Sequence, residues 1–217
     1  MPDYAAQRLN MVDAQVRAND VTDPRIHAAM LEVARERFVP AAKRALAYAD
    51  CAVEVAPKRY LLEPRTFAKL LQLAGVKPGD TVLDVGCATG YSAAILAKLA
   101  KTVIALEQDA DLVRIASEML PAVGASNATV VQGGFVEGYK AKAPYDVIFI
   151  NGAIAIVPEG LLAQLGEGGR LVAIMQDGAQ GHAQLFVKEN SRVGVRPDFD
   201  ASAPLLGGFK KAVGFVF

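Results

Sequence analysis

Cysteine and histidine are scarce in this chain, with two of each in 217 residues. Cys51 and Cys87 are too few for a disulfide scaffold, and His27 and His182 add no recognisable metal-ligand cluster. An excess of charge of one sign is also lacking. Basic and acidic side chains both number 23, so nothing points to electrostatic capture of nucleic acid or of an anionic membrane. No apolar run approaches the length of a bilayer span, and the opening MPDYAAQRLN is polar, without an apolar signal core. Internal repeats and low-complexity tracts are missing too. The expectation is a protein of a reducing, cytoplasmic compartment that uses no metal.

What the chain does have is a clear alternation of strand and helix patterns. At this length one α/β domain with a proper core is the default. TVLDV (81–85) is a short, apolar, β-branched run after the turn KPGD, and it reads as a buried strand. GYSAAILAKLA then changes to helical spacing, with Ala93, Ala94, Leu96, Ala97, Leu99 and Ala100 on the packed face. TVIAL is a second strand and ends on Glu107; ATVVQGG, YDVIFING and GGRLVAIM read as the third to fifth. Helices are expected over Arg65–Leu73, Ala110–Leu120 and Pro158–Leu165, and late strands over AQLFVKEN and AVGFVF. This pattern predicts a doubly wound, mostly parallel Rossmann-like sheet with antiparallel C-terminal edge strands.

Before that core, residues 1–50 read as helices. Asp3–Arg17 carries Leu9, Val12 and Val16 at helical spacing, and Thr22-Asp23-Pro24 is a helix start with Ile26, Met30, Leu31 and Val33 facing inward. A last short helix is expected over Ala41–Tyr48, followed by an extended connection over residues 51–64. The division is a helical cap with a substrate loop (1–64) and a core (65–217), together one compact unit. Whether the cap is a lid or packing stays open.

The turn between first strand and helix, Asp84-x-Gly86-x-Ala88-x-Gly90, is the strongest local signal. A strand running through small residues into a helix is expected to bring backbone N–H groups and a positive helix end to one point. The dinucleotide fingerprint would need glycines at 86, 88 and 91, where Gly86, Ala88 and Tyr91 stand, and a phosphate loop would need Gly-Lys-Ser/Thr, where Gly90-Tyr91-Ser92 stands. The spacing instead resembles the DxGxGxG loop of class I S-adenosylmethionine (AdoMet) methyltransferases. Asp84 suits the cationic aminoacyl end of that cofactor, and Glu107, at the end of the neighbouring strand, suits a ribose diol. An ordinary βα turn of small residues is the alternative, and Glu107 weighs against it.

Further motifs extend the resemblance to the whole chain. Met11-Val12-x-x-Gln15, the segment DPRIHAAMLEVARERFVPAAKRALAYAD, DVGCATGYSAA, APYDVIFI and VPEGLLAQLGEGGRLVAIM resemble the protein-L-isoaspartate O-methyltransferase family, in the family's order. The resemblance implies carboxyl methylation of isoaspartyl residues in damaged proteins, with AdoMet as cofactor and S-adenosylhomocysteine as product. It implies cofactor-binding residues at Asp84, Gly86, Cys87, Ala88, Gly90, Glu107, Gln108, Gly133, Gly134 and Phe135, and a substrate loop at Tyr60, Leu61, Leu62 and Glu63.

Departures from the family pattern fall on those residues. The family's loop reads Thr-Ile-Ser-Gln-Pro, with its serine beside the transferring methyl; aligned on Pro64, this chain has Leu62 there. The family's Gly-Asp-Gly, whose acid meets the adenine amino group, is Gly133-Gly134-Phe135 here, and Ala88 replaces the loop's central glycine. Three readings follow: an isoaspartyl methyltransferase, a methyltransferase with a more apolar substrate, and a non-catalytic AdoMet-sensing protein.

Overall fold

The structure is a computed structural model that describes residues 2–178 and 180–209. Its N-terminal part begins with α1 (Tyr4–Met11), which Asp3 caps by accepting a hydrogen bond from the Ala6 N–H at 3.0 Å. The helical path continues through a wide turn over Val12–Val16 and a tight one over Arg17–Asn19. α2 (Pro24–Glu32) starts as predicted, with Asp23 as the cap and Pro24 in the first turn. Ile26, Met30 and Val33 are buried, while Leu31 is half-buried. Ala41–Leu46 forms a tight 3₁₀ segment in place of the expected α-helix.

Residues 51–64 are more ordered than an extended connection. β1 (Val53–Ala56) and β2 (Arg59–Leu61) pair antiparallel as a hairpin, turning at Lys58 with φ of +61°. Tyr60 and Leu61 therefore belong to a strand, and the expected loop reduces to Leu62-Glu63. α3 (Pro64–Ala74) follows at once and is closed by Gly75.

The core then alternates: β3 (Thr81–Val85), α4 (Tyr91–Leu99), β4 (Thr102–Glu107), α5 (Ala110–Ala122), β5 (Ala128–Gln132), β6 (Tyr145–Ile154), α6 (Glu159–Leu162), β7 (Leu165–Asp177), β8 (Gln180–Glu189) and β9 (Arg192–Asp200). α5 runs past the expected end at Leu120 to Ala122; Pro121 lies in the last turn, so the one hydrogen bond its ring cannot donate is lost just before the helix stops. α6 is shorter than expected, since Leu165 already pairs in β7. β9 was not expected: Gly194, Pro197 and alternating charges disguise a strand that is mostly exposed at the sheet edge. AVGFVF lies outside the described residues.

Strand order is β5-β4-β3-β6-β7-β8-β9, parallel from β5 to β7 and antiparallel from β7 onward. Successive residues of β3 point to opposite faces. Val82 joins a cluster with α3, α4 and the N-terminal helices, including Met11, Val16, Ile26 and Met30. Leu83 and Val85 join a second cluster with Ile148, Leu161 and Leu171 on the other face.

Arg35 connects the N-terminal segment to the end of the hairpin. Its side chain is wholly buried; Nε donates to the Ala47 carbonyl at 2.7 Å and Nη2 to the Leu62 carbonyl at 2.8 Å. The guanidinium carbon lies 4.7 Å from the centre of the Tyr91 ring. Burial draws the Arg35 pKa below its ordinary value. Replacing Arg35 with leucine leaves two buried carbonyls without donors, so Arg35→Leu is expected to lower stability by about 2–4 kcal/mol. Urea unfolding checks this; a loss under about 0.5 kcal/mol would show that Arg35 does not hold the two segments together.

Candidate functional site

The carboxyl ends of β3 and β4 lie side by side, with Asp84 registered opposite Ala105 and Val85 opposite Leu106. The predicted loop and Glu107 are thereby brought to one place. Glu107 is fully buried. Its Oε1 accepts from the N–H groups of Gln108 (2.9 Å) and Asp109 (3.2 Å). Its Oε2 accepts from the Ala88 N–H (2.9 Å) and from Nη2 of Arg59 (2.5 Å).

The loop differs from expectation in where its N–H groups point. Gly86 and Cys87 both donate to the Leu106 carbonyl, Gly90 donates to Cys87, and Ala88 donates to Glu107. These donors are used to bind the loop to β4 and to itself, so they do not form an open ring for an anion. Ala88 also costs more than a methyl group: its φ is +51°, in the left-handed region that disfavours a Cβ by roughly 1–2 kcal/mol. Gly86 has both a positive φ (+80°) and close neighbours. A Cβ there would lie 3.1 Å from the Leu206 side chain and 3.3 Å from Nη2 of Arg59.

Asp84 is buried beneath the loop, where Oδ2 accepts from the Ser92 hydroxyl (2.7 Å) and Oδ1 from the Asn151 amide. Burial is the main cause that pushes its pKa up to about 7. The hydrogen bonds from Ser92 and Asn151 pull it down, Glu107 raises it, and Arg59 lowers it. Cys87 is buried as well, and burial raises its thiol pKa well above the ordinary value. It is a poor nucleophile there.

Leu62 is buried and lines a narrow cleft with Tyr60, Leu61, Gly86, Cys87, Tyr91, Ser92 and Asn151. The cleft holds about 10 Å³, roughly the least that admits one water. Glu63 is not directed into it. It stands at the start of α3, accepting from the Thr66 hydroxyl and from Arg65.

On the other side of Glu107, Gly133 donates its N–H to the Glu107 carbonyl at 3.0 Å. Gln108 contributes its backbone, and its side chain is exposed. Phe135 is buried, and the Arg59 guanidinium carbon stands 4.9 Å from its ring centre. Gly134 has no side chain, and a neighbour uses the space: a Cβ on it would come within 2.0 Å of Oε2 of Glu137. A carboxylate thus sits beside position 134 although it arises three residues later.

Arg59, Asn151, Ser92, Glu137 and Leu206 were not among the residues expected here. Arg59 directly precedes Tyr60, so its proximity to the loop was a usable signal. Asn151 was visible as a polar residue ending an apolar strand. Leu206 had no such signal; it is placed by pairing with β6, where its N–H donates to the Ala153 carbonyl at 2.8 Å.

Comparison with known proteins identifies the family and the fold. The family model for protein-L-isoaspartate(D-aspartate) O-methyltransferase matches residues 6–200. A protein-L-isoaspartate O-methyltransferase of Koribacter versatilis (strain Ellin345) is 38% identical over 169 residues, covering 78% of this chain and 76% of its own. A solved protein-L-isoaspartate O-methyltransferase superposes with a TM-score of 0.79 at 25% identity, over 94% of this chain and 66% of that one. A Plasmodium falciparum protein assigned to the same activity, solved with S-adenosyl-L-homocysteine, gives 0.78 at 21% identity, over 98% and 100%. With the shared fold, the acid-ended strands and a match over nearly the whole length, the chain belongs to the protein-L-isoaspartate(D-aspartate) O-methyltransferase family.

Proposed function

We propose that this chain transfers a methyl group from AdoMet to the free carboxylate of isoaspartyl residues in damaged proteins. Family membership supports the reaction. The observation that carries it to this chain is the convergence of Asp84, the Gly86–Gly90 turn, Glu107 and Leu62 at one end of the sheet. A cytoplasmic setting belongs to the same reading, and the two free thiols suit it.

The residues present fit the cofactor by chemistry. Asp84 offers an acid to the aminoacyl amine, and Glu107 offers one to the ribose diol. Gly86 lets a ligand lie against main chain where a Cβ would obstruct it. Arg59 and Leu206 reach into that space, but both do so with the ends of flexible side chains. At the far side the Glu137 carboxylate, beside Gly134, is the acceptor for an adenine amino group that the sequence lacks at position 134.

Bound AdoMet supplies an electrophilic methyl group, which a carboxylate oxygen takes as the carbon–sulfur bond breaks and its electron pair stays on sulfur. No proton moves, because an isoaspartyl carboxyl is already ionised near neutral pH. The chain's own task is therefore alignment and exclusion of water. Leu62 and Phe67 supply apolar walls in the cleft, and Arg35 fixes the Leu62 backbone from behind.

Three outcomes test this reading. Glu107→Ala removes the ribose acceptor and is expected to weaken S-adenosylhomocysteine binding by about 1.5–3 kcal/mol; calorimetry showing no change would remove Glu107 from the site.

Asp84 gives a pH dependence with a defined sign. Its folded pKa, about 7, lies above the ordinary carboxyl value of 3.8. Below the lower value both states are protonated, and between the two only the folded state holds the proton. The stability this contributes is full below about 4 and is lost as pH rises through about 7. Above about 7 Asp84 is ionised and attracts an amine, so affinity for S-adenosylhomocysteine is expected to rise between pH 6 and pH 8. Asp84→Asn should flatten that rise; an unchanged profile in the variant would assign it to another group.

Leu62→Ser restores a hydroxyl to the cleft. It is expected to raise methylation of an isoaspartyl peptide about threefold to tenfold, the value of one neutral hydrogen bond in the transition state. Tritiated AdoMet gives the readout. If wild type and Leu62→Ser both leave the peptide unmethylated while S-adenosylhomocysteine still binds, the isoaspartyl reading fails.

A further inference from the structure

An ionised carboxylate has about four lone-pair positions for hydrogen bonds. In Glu107 all four are matched by donors: the N–H groups of Ala88, Gln108 and Asp109, and the Arg59 guanidinium. Three of these are backbone groups held by the Gly86–Gly90 turn and by the start of α5. Only Arg59 sits on a side chain that can rotate away. A ribose diol can reach this carboxylate only by taking the place that Arg59 now holds.

Arg59 is also the side chain that fills the surrounding space. Its Nη2 is 3.3 Å from the point where Gly86 would carry a Cβ, and its guanidinium lies over Phe135. It therefore covers both the turn and the aromatic wall. Its hold is incomplete, because Nε is buried without a hydrogen-bond partner. An arginine with an unsatisfied buried nitrogen gives up less on leaving than a fully bonded one.

The cleft it would turn toward receives, in the reaction of the preceding section, the carboxylate of the acceptor, and that anion needs a cationic partner. Arg35 is occupied with the carbonyls of Ala47 and Leu62. Lys58 is exposed at the hairpin turn. Arg59 lines a narrow cleft together with Tyr60, Leu62, Asn151 and Gly152, and Leu62 lies three residues along the same chain segment. Leu62 itself offers an incoming carboxylate no side-chain donor.

We propose that Arg59 is an exchange residue: it holds Glu107 until the cofactor's ribose takes that carboxylate, then turns to pair with the carboxylate of the acceptor. Cofactor binding thereby releases the cation that positions the substrate, and the cofactor binds first. The acceptor half of this proposal rests on the isoaspartyl reading; the Glu107 half does not.

Calorimetry with S-adenosylhomocysteine separates the halves, since it needs no turnover. Arg59→Ala and the bulkier Arg59→Met remove the competing cation. Both are expected to bind S-adenosylhomocysteine about threefold to tenfold more tightly than wild type, with Arg59→Lys between. Unchanged or weaker binding in both variants, with thermal melts showing them folded, overturns the exchange. A crystal structure of the wild type with S-adenosylhomocysteine decides the same point should the variants not fold: Arg59 still paired with Glu107 overturns it, and Arg59 turned away supports it. For the acceptor half, Arg59→Ala should raise the KM for an isoaspartyl peptide about tenfold with a smaller change in kcat, and Arg59→Lys should recover part of the loss. An unchanged KM overturns that half. A wild type that binds S-adenosylhomocysteine yet methylates no isoaspartyl peptide overturns it too, together with the reading it rests on, while calorimetry still decides the exchange.

Discussion

A single buried carboxylate, that of Glu107, fastens together the parts of this molecule that matter for ligand chemistry. Through Ala88 it holds the turn after β3, through Gln108 and Asp109 it holds the start of α5, and through Arg59 it holds the hairpin. A charge removed from water this completely is tolerable only when its hydrogen bonds are met inside the protein. That requirement explains why three separate elements turn backbone or side-chain donors toward one point. It also explains why the Gly86–Gly90 turn spends its N–H groups inward, and so suits the neutral and cationic parts of a ligand better than an anion.

The surroundings of Leu62 follow a related logic. Two buried guanidinium groups, Arg35 and Arg59, flank the segment that carries Leu62, and two buried carboxylates, Asp84 and Glu107, stand among the strands and turn opposite. Once Asp84 is ionised, above about pH 7, these four formal charges cancel. Arg35 works as a structural clamp, because its partners are carbonyls and an aromatic face, whereas Arg59 is bound to a carboxylate that a ligand can claim. The residue changes that set this chain apart from its family pattern are met locally in the same way. The Glu137 carboxylate reaches the space that Gly134 leaves, and Ala88 holds a left-handed conformation whose cost its bond to Glu107 offsets.

Much of this was legible in the residues. β3, α4 and β4 carry unbroken apolar patterns with punctuation at both ends, so their limits, the turn between them and the acid at position 107 could be placed from sequence. α2 was equally plain, since Asp23 and Pro24 mark its start. β9 was hidden because an exposed edge strand needs no apolar face, and its glycine, proline and charges look like a loop. The hairpin at Val53–Leu61 was hidden by its brevity. Most of all, pairings between distant segments left no local trace. Arg59 meets Glu107 across 48 residues, and Arg35 meets the Leu62 carbonyl across 27. Such contacts are set by how layers stack, which a periodicity cannot express.

The segment after β9 returns to the ligand end of the sheet. Pro204 accepts from the Ala153 N–H at 3.0 Å, Leu206 donates back to Ala153, and the Leu206 side chain stands over Gly86. During synthesis the strands β3 to β7 and both layers of helices can leave the ribosome and associate before this segment exists. The binding cleft is then completed by a segment made after every strand of the sheet, over a sequence separation that ordinarily slows closure. A nascent chain stopped between β7 and Pro204 would hold a packed sheet with the backbone of Ala153 uncovered and one wall of the cleft missing, so that folding of the core and competence to bind become separate events in time.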